Sequence, residues 1–176
     1  MSFLTTLKKF GNHIGAYKVH LCPEVKGQVS EKGKPLSNVR IDRVLNFSDG
    51  KCAEDFTYTD KNGSFLLPEI NIRSNQPAVP LAEIFTSQAI YLSYNHEEYC
   101  LWGSRLSGAK YREEYAKKLR QLIADTTDEK VLFKFENKKT EGYKFEALSI
   151  CRWSDDFEVV EKNAYFDLSE IETDDN

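Results

Sequence analysis

Histidine is scarce and cysteine is scattered: the chain has three His and four Cys, and no two cysteines form a CxxC pair. A structural zinc site needs about four such ligands converging, backed by partners that orient them. His20 and Cys22 lie two apart and His96 precedes Cys100 by four, so only isolated pairs exist, and no metal or cofactor is expected. A Gly-rich strand-to-helix turn is also lacking, which removes a phosphate loop. No apolar run approaches the ~20 residues of a membrane helix. Phe3, Leu4 and Leu7 are followed by Lys8 and Lys9 rather than by an apolar core, so no secretory signal is read. These absences lead to the expectation of a cytoplasmic protein whose Cys22, Cys52, Cys100 and Cys151 are free thiols.

Charge is present but unevenly placed. The net charge over 176 residues is −4, yet Ser154–Asn176 holds nine carboxylates against Lys162 alone, a formal −8 that leaves +4 on residues 1–153. An acidic end of this kind repels phosphate backbones and argues against nucleic acid as a partner. Hydrophobic residues at 40% and aromatics at 12% are enough for a packed core.

Along the chain, Tyr17–Cys22 alternates, with Tyr17, Val19 and Leu21 on one face and Lys18, His20 and Cys22 on the other. Short strands follow at Lys26–Ser30, around Val39, Ile41 and Val44, and at Phe56–Thr59. Between them lie turns at Glu31–Pro35 and Ser48–Lys51. Asp60-Lys61-Asn62-Gly63 predicts a hairpin, because Asn-Gly supplies the positive φ of a tight reversal. Residues 71–80 read as a loop. Ala89–Tyr94 and Tyr99–Trp102 read as a hairpin turning over Asn95–Glu98. Tyr111, Tyr115, Leu119, Leu122 and Ile123 recur at helical spacing and predict an amphipathic helix over about 110–124. Glu113–Lys117 and Glu114–Lys118 would then pair on its outer side. Val131–Phe135 reads as a further strand, and Leu148–Trp153 as a segment that closes the sheet. The expected core includes Val39, Ile41, Phe65, Tyr91 and Trp102. The expected organisation is a β-sandwich domain over 1–153 with an inserted helix, then an acidic extension over 154–176.

Gly27-Gln28-Val29, Gly33-Lys34-Pro35-Leu36 and Asn38-Val39-Arg40-Ile41, followed by Thr59-Asp60-Lys61-Asn62-Gly63-Ser64-Phe65, resemble the opening of carboxypeptidase-regulatory-like domains. The resemblance implies a mainly β, transthyretin-like (prealbumin-like) sandwich and says almost nothing about activity. The chain also resembles an uncharacterised bacterial family that joins such a module to a helix and the segment Ser149-Ile150-Cys151-Arg152-Trp153.

No catalytic set can be assembled. Cys151 beside Arg152 could be activated, but no His is near it in sequence. The His-rich pattern of transthyretin-like hydrolases is missing. Glu97-Glu98, Glu113-Glu114 and Asp155-Asp156 are adjacent, and adjacent side chains diverge on a strand or helix. The absence of motifs favours a non-enzymatic protein-binding module over an enzyme whose site is assembled from distant residues. A deep polar pocket at His96, Cys100 or Cys151 would favour the enzyme. Small acidic bacterial proteins of this kind resemble immunity proteins that neutralise a secreted toxin; an accessory or chaperone-like adaptor of a secretion system is the alternative. The candidate binding patch is Asp155, Asp156, Glu158 and Glu161, with Phe157 and Tyr165 as aromatic anchors for a basic protein partner. No membrane partner is expected. Because apolar residues interrupt its charges, the extension should pack on the body or order against a partner.

Overall fold

The computed structural model describes residues 12–140 and 142–160. Within them the chain is mainly β, with thirteen strands and one α-helix. β1 is Tyr17–Cys22, β2 Val25–Glu31, β3 Lys34–Pro35, β4 Arg40–Phe47, β5 Cys52–Tyr58, β6 Ser64–Leu67 and β7 Ile70–Ser74. β8 is Phe85–Tyr94, β9 Glu97–Ser107, α1 Glu113–Leu119, β10 Leu122–Asp125, β11 Val131–Phe135, β12 Phe145–Ser149 and β13 Glu158–Val159.

A seven-stranded sheet runs β13-β11-β12-β9-β8-β4-β5. A smaller sheet is built around β2, which pairs with β10, β3 and β6, and β1 with β7 forms a two-stranded ribbon. The inward faces of all three meet in one core. Val19 and Leu21 come from the ribbon, Val25 and Val29 from β2, and Ile41, Leu45, Ile90 and Leu92 from the large sheet. An aromatic group fills the end under α1: the Trp102 ring lies 5.7 Å from Tyr115, 5.9 Å from Phe135 and 6.2 Å from Trp153. Burying rings of this size is the largest apolar contribution any side chain makes.

Of the expected core residues, Ile41, Phe65 and Trp102 are buried and Val39 packs against the cluster. Tyr91 does not join them. On β8 the inward positions are Gln88, Ile90 and Leu92, and Tyr91 faces outward beside Asp42.

The turn at Asp60–Gly63 forms, with Gly63 at φ +74° and the Asp60 carboxylate accepting the N–H groups of Asn62 (2.8 Å) and Ser64 (2.9 Å). It is not a hairpin: β5 pairs with β4 and β6 with β2, so the turn carries the chain from one sheet to the other. The 71–80 segment is more regular than a loop, containing most of β7 and a 3-10 turn at Gln76–Ala78.

The helix is shorter than its spacing suggests. It stops at Leu119, and Leu122–Asp125 becomes β10, with Leu122 and Ala124 buried and Ile123 exposed. The cause is the parallel edge of β2, which gives Leu122–Asp125 backbone partners at Gly27–Ser30. The outer-face charge pairs do not form either. Lys117 pairs with Asp155 at 2.5 Å, and Lys118 is buried rather than exposed.

Candidate functional site

The geometry around residues 154–160 is set by two neighbouring lysines of α1 that reach across to this segment. Lys118 Nζ donates to the backbone carbonyls of Asp155 (2.8 Å) and Asp156 (2.6 Å) and lies 3.8 Å from the Asp156 carboxylate. Its ammonium is 5.6 Å from the centre of the Trp153 ring and 6.0 Å from that of Phe135. Burial pulls the Lys118 pKa down, and the nearby Asp156 and Asp155 carboxylates oppose the shift. Lys117 holds the Asp155 carboxyl below the usual carboxylate range through their hydrogen bond. On the other side, Lys144 pairs with Glu158 and lowers its carboxyl in the same way.

The chain therefore continues past Trp153 into the body. Phe157 packs 4.8 Å from the Phe133 ring and 5.5 Å from Trp153. β13 pairs with β11 through Phe133↔Val159 and Lys134↔Glu158. Asp155, Asp156 and Glu158 are each tied to a body lysine, and Phe157 is a half-buried packing residue. Glu161 and Tyr165 lie outside the described residues.

Asp155 and Asp156 nonetheless contribute to a shared concavity. A cleft of about 200 Å³ is lined by Glu113, Glu114, Lys117, Glu136, Lys138, Asp155 and Asp156. Five carboxylates against two ammonium groups give the lining a formal charge of −3. Its walls are fixed by backbone bonds: the Glu136 N–H donates to the Asp156 carboxylate at 2.8 Å, and the Lys138 N–H donates to Glu114 at 3.2 Å. Glu113 and Glu114 occupy the first turn of α1, where the exposed N–H groups favour negative charge. Sequence reading reached Asp155 and Asp156 but not Glu136, because the chain reversal that brings residue 136 beside residue 156 leaves no periodic trace. A rigid, negatively charged cleft of this size accepts a cationic side chain better than a neutral one.

The other sequence-singled residues do not converge. A register shift between His20 and Cys22 turns the Cys22 thiol into the core, and burial raises it to about 11. His96 is exposed in the β8–β9 turn, away from the half-buried Cys100 in the strand. Cys151 is fully buried, its Sγ 3.4 Å from the Leu101 carbonyl, and burial pushes its thiol up to about 12. That is the opposite of an activated nucleophile. The Arg152 guanidinium instead donates to the carbonyls of Ile150, Cys151 and Glu129. Among the described residues no group of three or more His, Cys, Asp or Glu could hold a metal ion, and no helix is long and apolar enough to cross a membrane. All four cysteines are free.

Residues 25–129 match the family described as Domain of unknown function (DUF6795), which is more than half of the chain, and the chain belongs to that family. The matched span runs from β2 to the segment before β11. It includes Glu113, Glu114 and Lys117 of the cleft but not residues 136–156. No curated protein and no solved structure matches the chain.

Proposed function

We propose that this member of the family is a non-catalytic protein-binding module, acting as an immunity protein that blocks a basic toxin. The observation that carries the reading is the acidic cleft between α1 and the 154–160 segment, with five carboxylates on a backbone held by hydrogen bonds. Fixed charges of one sign speed encounter with a partner of the opposite sign and select a basic side chain at the contact. The fully buried, un-ionised Cys151 adds support by removing the one nucleophile that the sequence offered beside a cation. Location in the cytoplasm, where such a protein would shield its own cell, belongs to the same proposal.

The 27–70 segment is, in this reading, a carboxypeptidase-regulatory-like, transthyretin-like module. Supporting it are the β2–β3 hairpin at Lys32-Gly33 and the glycine turn that delivers Phe65. The Phe65 ring fills the space beside Gly27, where a Cβ would come within 2.4 Å of it.

The test is capture of the neighbouring gene's product by the full chain, with co-expression to measure protection of the cell. Capture that weakens with salt and with Glu113→Lys/Glu136→Lys, while the melting temperature stays near that of the parent, supports the proposal. Capture indifferent to both changes, or no protection on co-expression, overturns it; capture without protection would point to an adaptor instead.

A further inference from the structure

A second cleft, of about 320 Å³, lies on the outer face of the β1–β7 ribbon under the segment that leads into α1. Lys18, His20, Glu69, Asn71, Ala109, Lys110 and Tyr111 line it. His20 and Asn71 are directly opposed in the antiparallel register, so their side chains stand about 5 Å apart at Cβ on one face.

Each brings a buried polar atom without a hydrogen-bond partner: His20 Nε2 and Asn71 Oδ1. His20 itself is only 8% exposed. The Asn71 amide is oriented by its Nδ2, which donates to Glu69 at 2.6 Å and leaves the oxygen as the unmatched atom. Two orphaned groups side by side cost stability, a cost that a ligand supplying both bonds would relieve.

The chemistry of the pair defines that ligand. Burial lowers the His20 pKa, with Glu69 opposing and Lys18 assisting, which favours the neutral ring; a neutral imidazole that carries its proton on Nε2 is a donor there. Asn71 Oδ1 needs a donor. A hydroxyl both accepts and donates, and it is small enough to bridge the two. Lys18 and Lys110, both exposed, share the lining with the single carboxylate of Glu69, which makes it net positive and disfavours a metal cation. The Tyr111 ring, edge-on to His20 at 5.0 Å, forms one wall, and its hydroxyl is held by Glu113 and Arg120. The backbone N–H of His20 donates to the Ala109 carbonyl at 2.9 Å and anchors the segment that leads into α1. The volume is at the lower end of the ~300–1,000 Å³ range of ligand pockets.

We propose that this cleft binds a small hydroxycarboxylate, its hydroxyl between His20 Nε2 and Asn71 Oδ1 and its carboxylate on Lys18 and Lys110. The site is separate from the acidic cleft and does not depend on the protein-binding role.

The test is an NMR titration of the isotope-labelled full chain with malate, succinate, inorganic phosphate and zinc ion, read at the His20 imidazole and the Asn71 side-chain amide. Malate is expected to shift both, and succinate, which lacks only the hydroxyl, to bind about tenfold or more weakly, the equivalent of one hydrogen bond. Lys18→Gln, at an exposed position, should weaken both acids while leaving the fold intact. Asn71→Leu should erase the preference for malate. Equal binding of malate and succinate, equal binding of phosphate, a response to zinc alone, or no response at millimolar malate would each overturn the proposal.

Discussion

Asn95 and His96 join β8 to β9 as a two-residue turn, closed by the Tyr94↔Glu97 pair, with φ of +52° and +65°. Both central positions of such a turn need positive φ, which Gly takes without a steric penalty and His does not. His96→Gly is therefore expected to stabilise the protein by about 0.5–1 kcal/mol and raise its melting temperature by a few degrees. A thermal melt that falls instead would show that the exposed imidazole has a role the backbone does not reveal. Cysteine reactivity is set by burial in the same local way. Cys151, with its thiol pushed to about 12, is expected to resist a thiol reagent in the native protein, whereas all four cysteines react after denaturation. Rapid native labelling of Cys151 would contradict the burial described. Single residues were legible in the sequence where the backbone demanded a type, as at Gly63. They were not where two faces competed: alternation around Tyr91 marked a strand, but only the pairing with β4 decides that Ile90 and Leu92 face the core.

Among the elements, β10 departs most from the reading of the sequence. Leu119, Leu122 and Ile123 continue a helical spacing, and nothing local says that the helix must end. What ends it is tertiary: β2 offers a pairing edge, and Asp125 locks the result. The Asp125 carboxylate accepts the N–H groups of Lys32 (3.0 Å), Gly33 (2.8 Å) and Thr127 (3.0 Å) and the hydroxyls of Ser30 (2.9 Å) and Thr127 (2.7 Å), tying the β2–β3 turn to β10. Burial by itself would raise this carboxyl, but the hydrogen bonds from Thr127, Gly33 and Lys32 outweigh it and hold it far below the usual carboxylate range. Since the folded pKa lies below the unfolded value of about 3.9, the carboxylate's stabilisation is complete above that pH. It is lost progressively as pH falls towards the folded pKa. Asp125→Ala is expected to cost about 1–3 kcal/mol at pH 7, because it strands the Lys32 and Gly33 N–H groups. In urea unfolding curves the gap between the two proteins should narrow as the pH drops from about 4 to 2. A gap that is constant with pH would mean that packing, not the charged acceptor, holds the turn.

At the scale of the molecule, the mainly β architecture and the presence of one helix followed from turn spacing and aromatic content, and so did the strands at Tyr17–Cys22 and Val131–Phe135. Which body residues meet the start of the acidic segment did not. Its interrupting apolar residues led to the expectation that it packs on the body or orders against a partner, but the lysines that hold residues 154–160 are remote in sequence: Lys117 and Lys118 from α1, and Lys144 from the approach to β12. Ion pairs across such separations carry no periodicity. Phe157 closes the aromatic cluster over Phe133 and Trp153, β13 extends the large sheet, and the Asp155 and Asp156 carbonyls satisfy the buried Lys118 ammonium. Ending the chain after Trp153 removes all three at once and leaves a buried cation without its acceptors. The expected loss is about 3–5 kcal/mol, comparable to removing a large core side chain or one partner of a buried charge pair. Because the core is continuous from Val19 to Trp153, the loss should appear as a lower midpoint of a single unfolding transition. Phe157→Ala is expected to show part of that loss, and adding Lys118→Met to the truncated chain should recover part of the stability by removing the stranded charge. A truncated chain that melts with the parent would show that residues 154–160 add nothing to the body, and the acidic cleft would lose the wall that Asp155 and Asp156 provide.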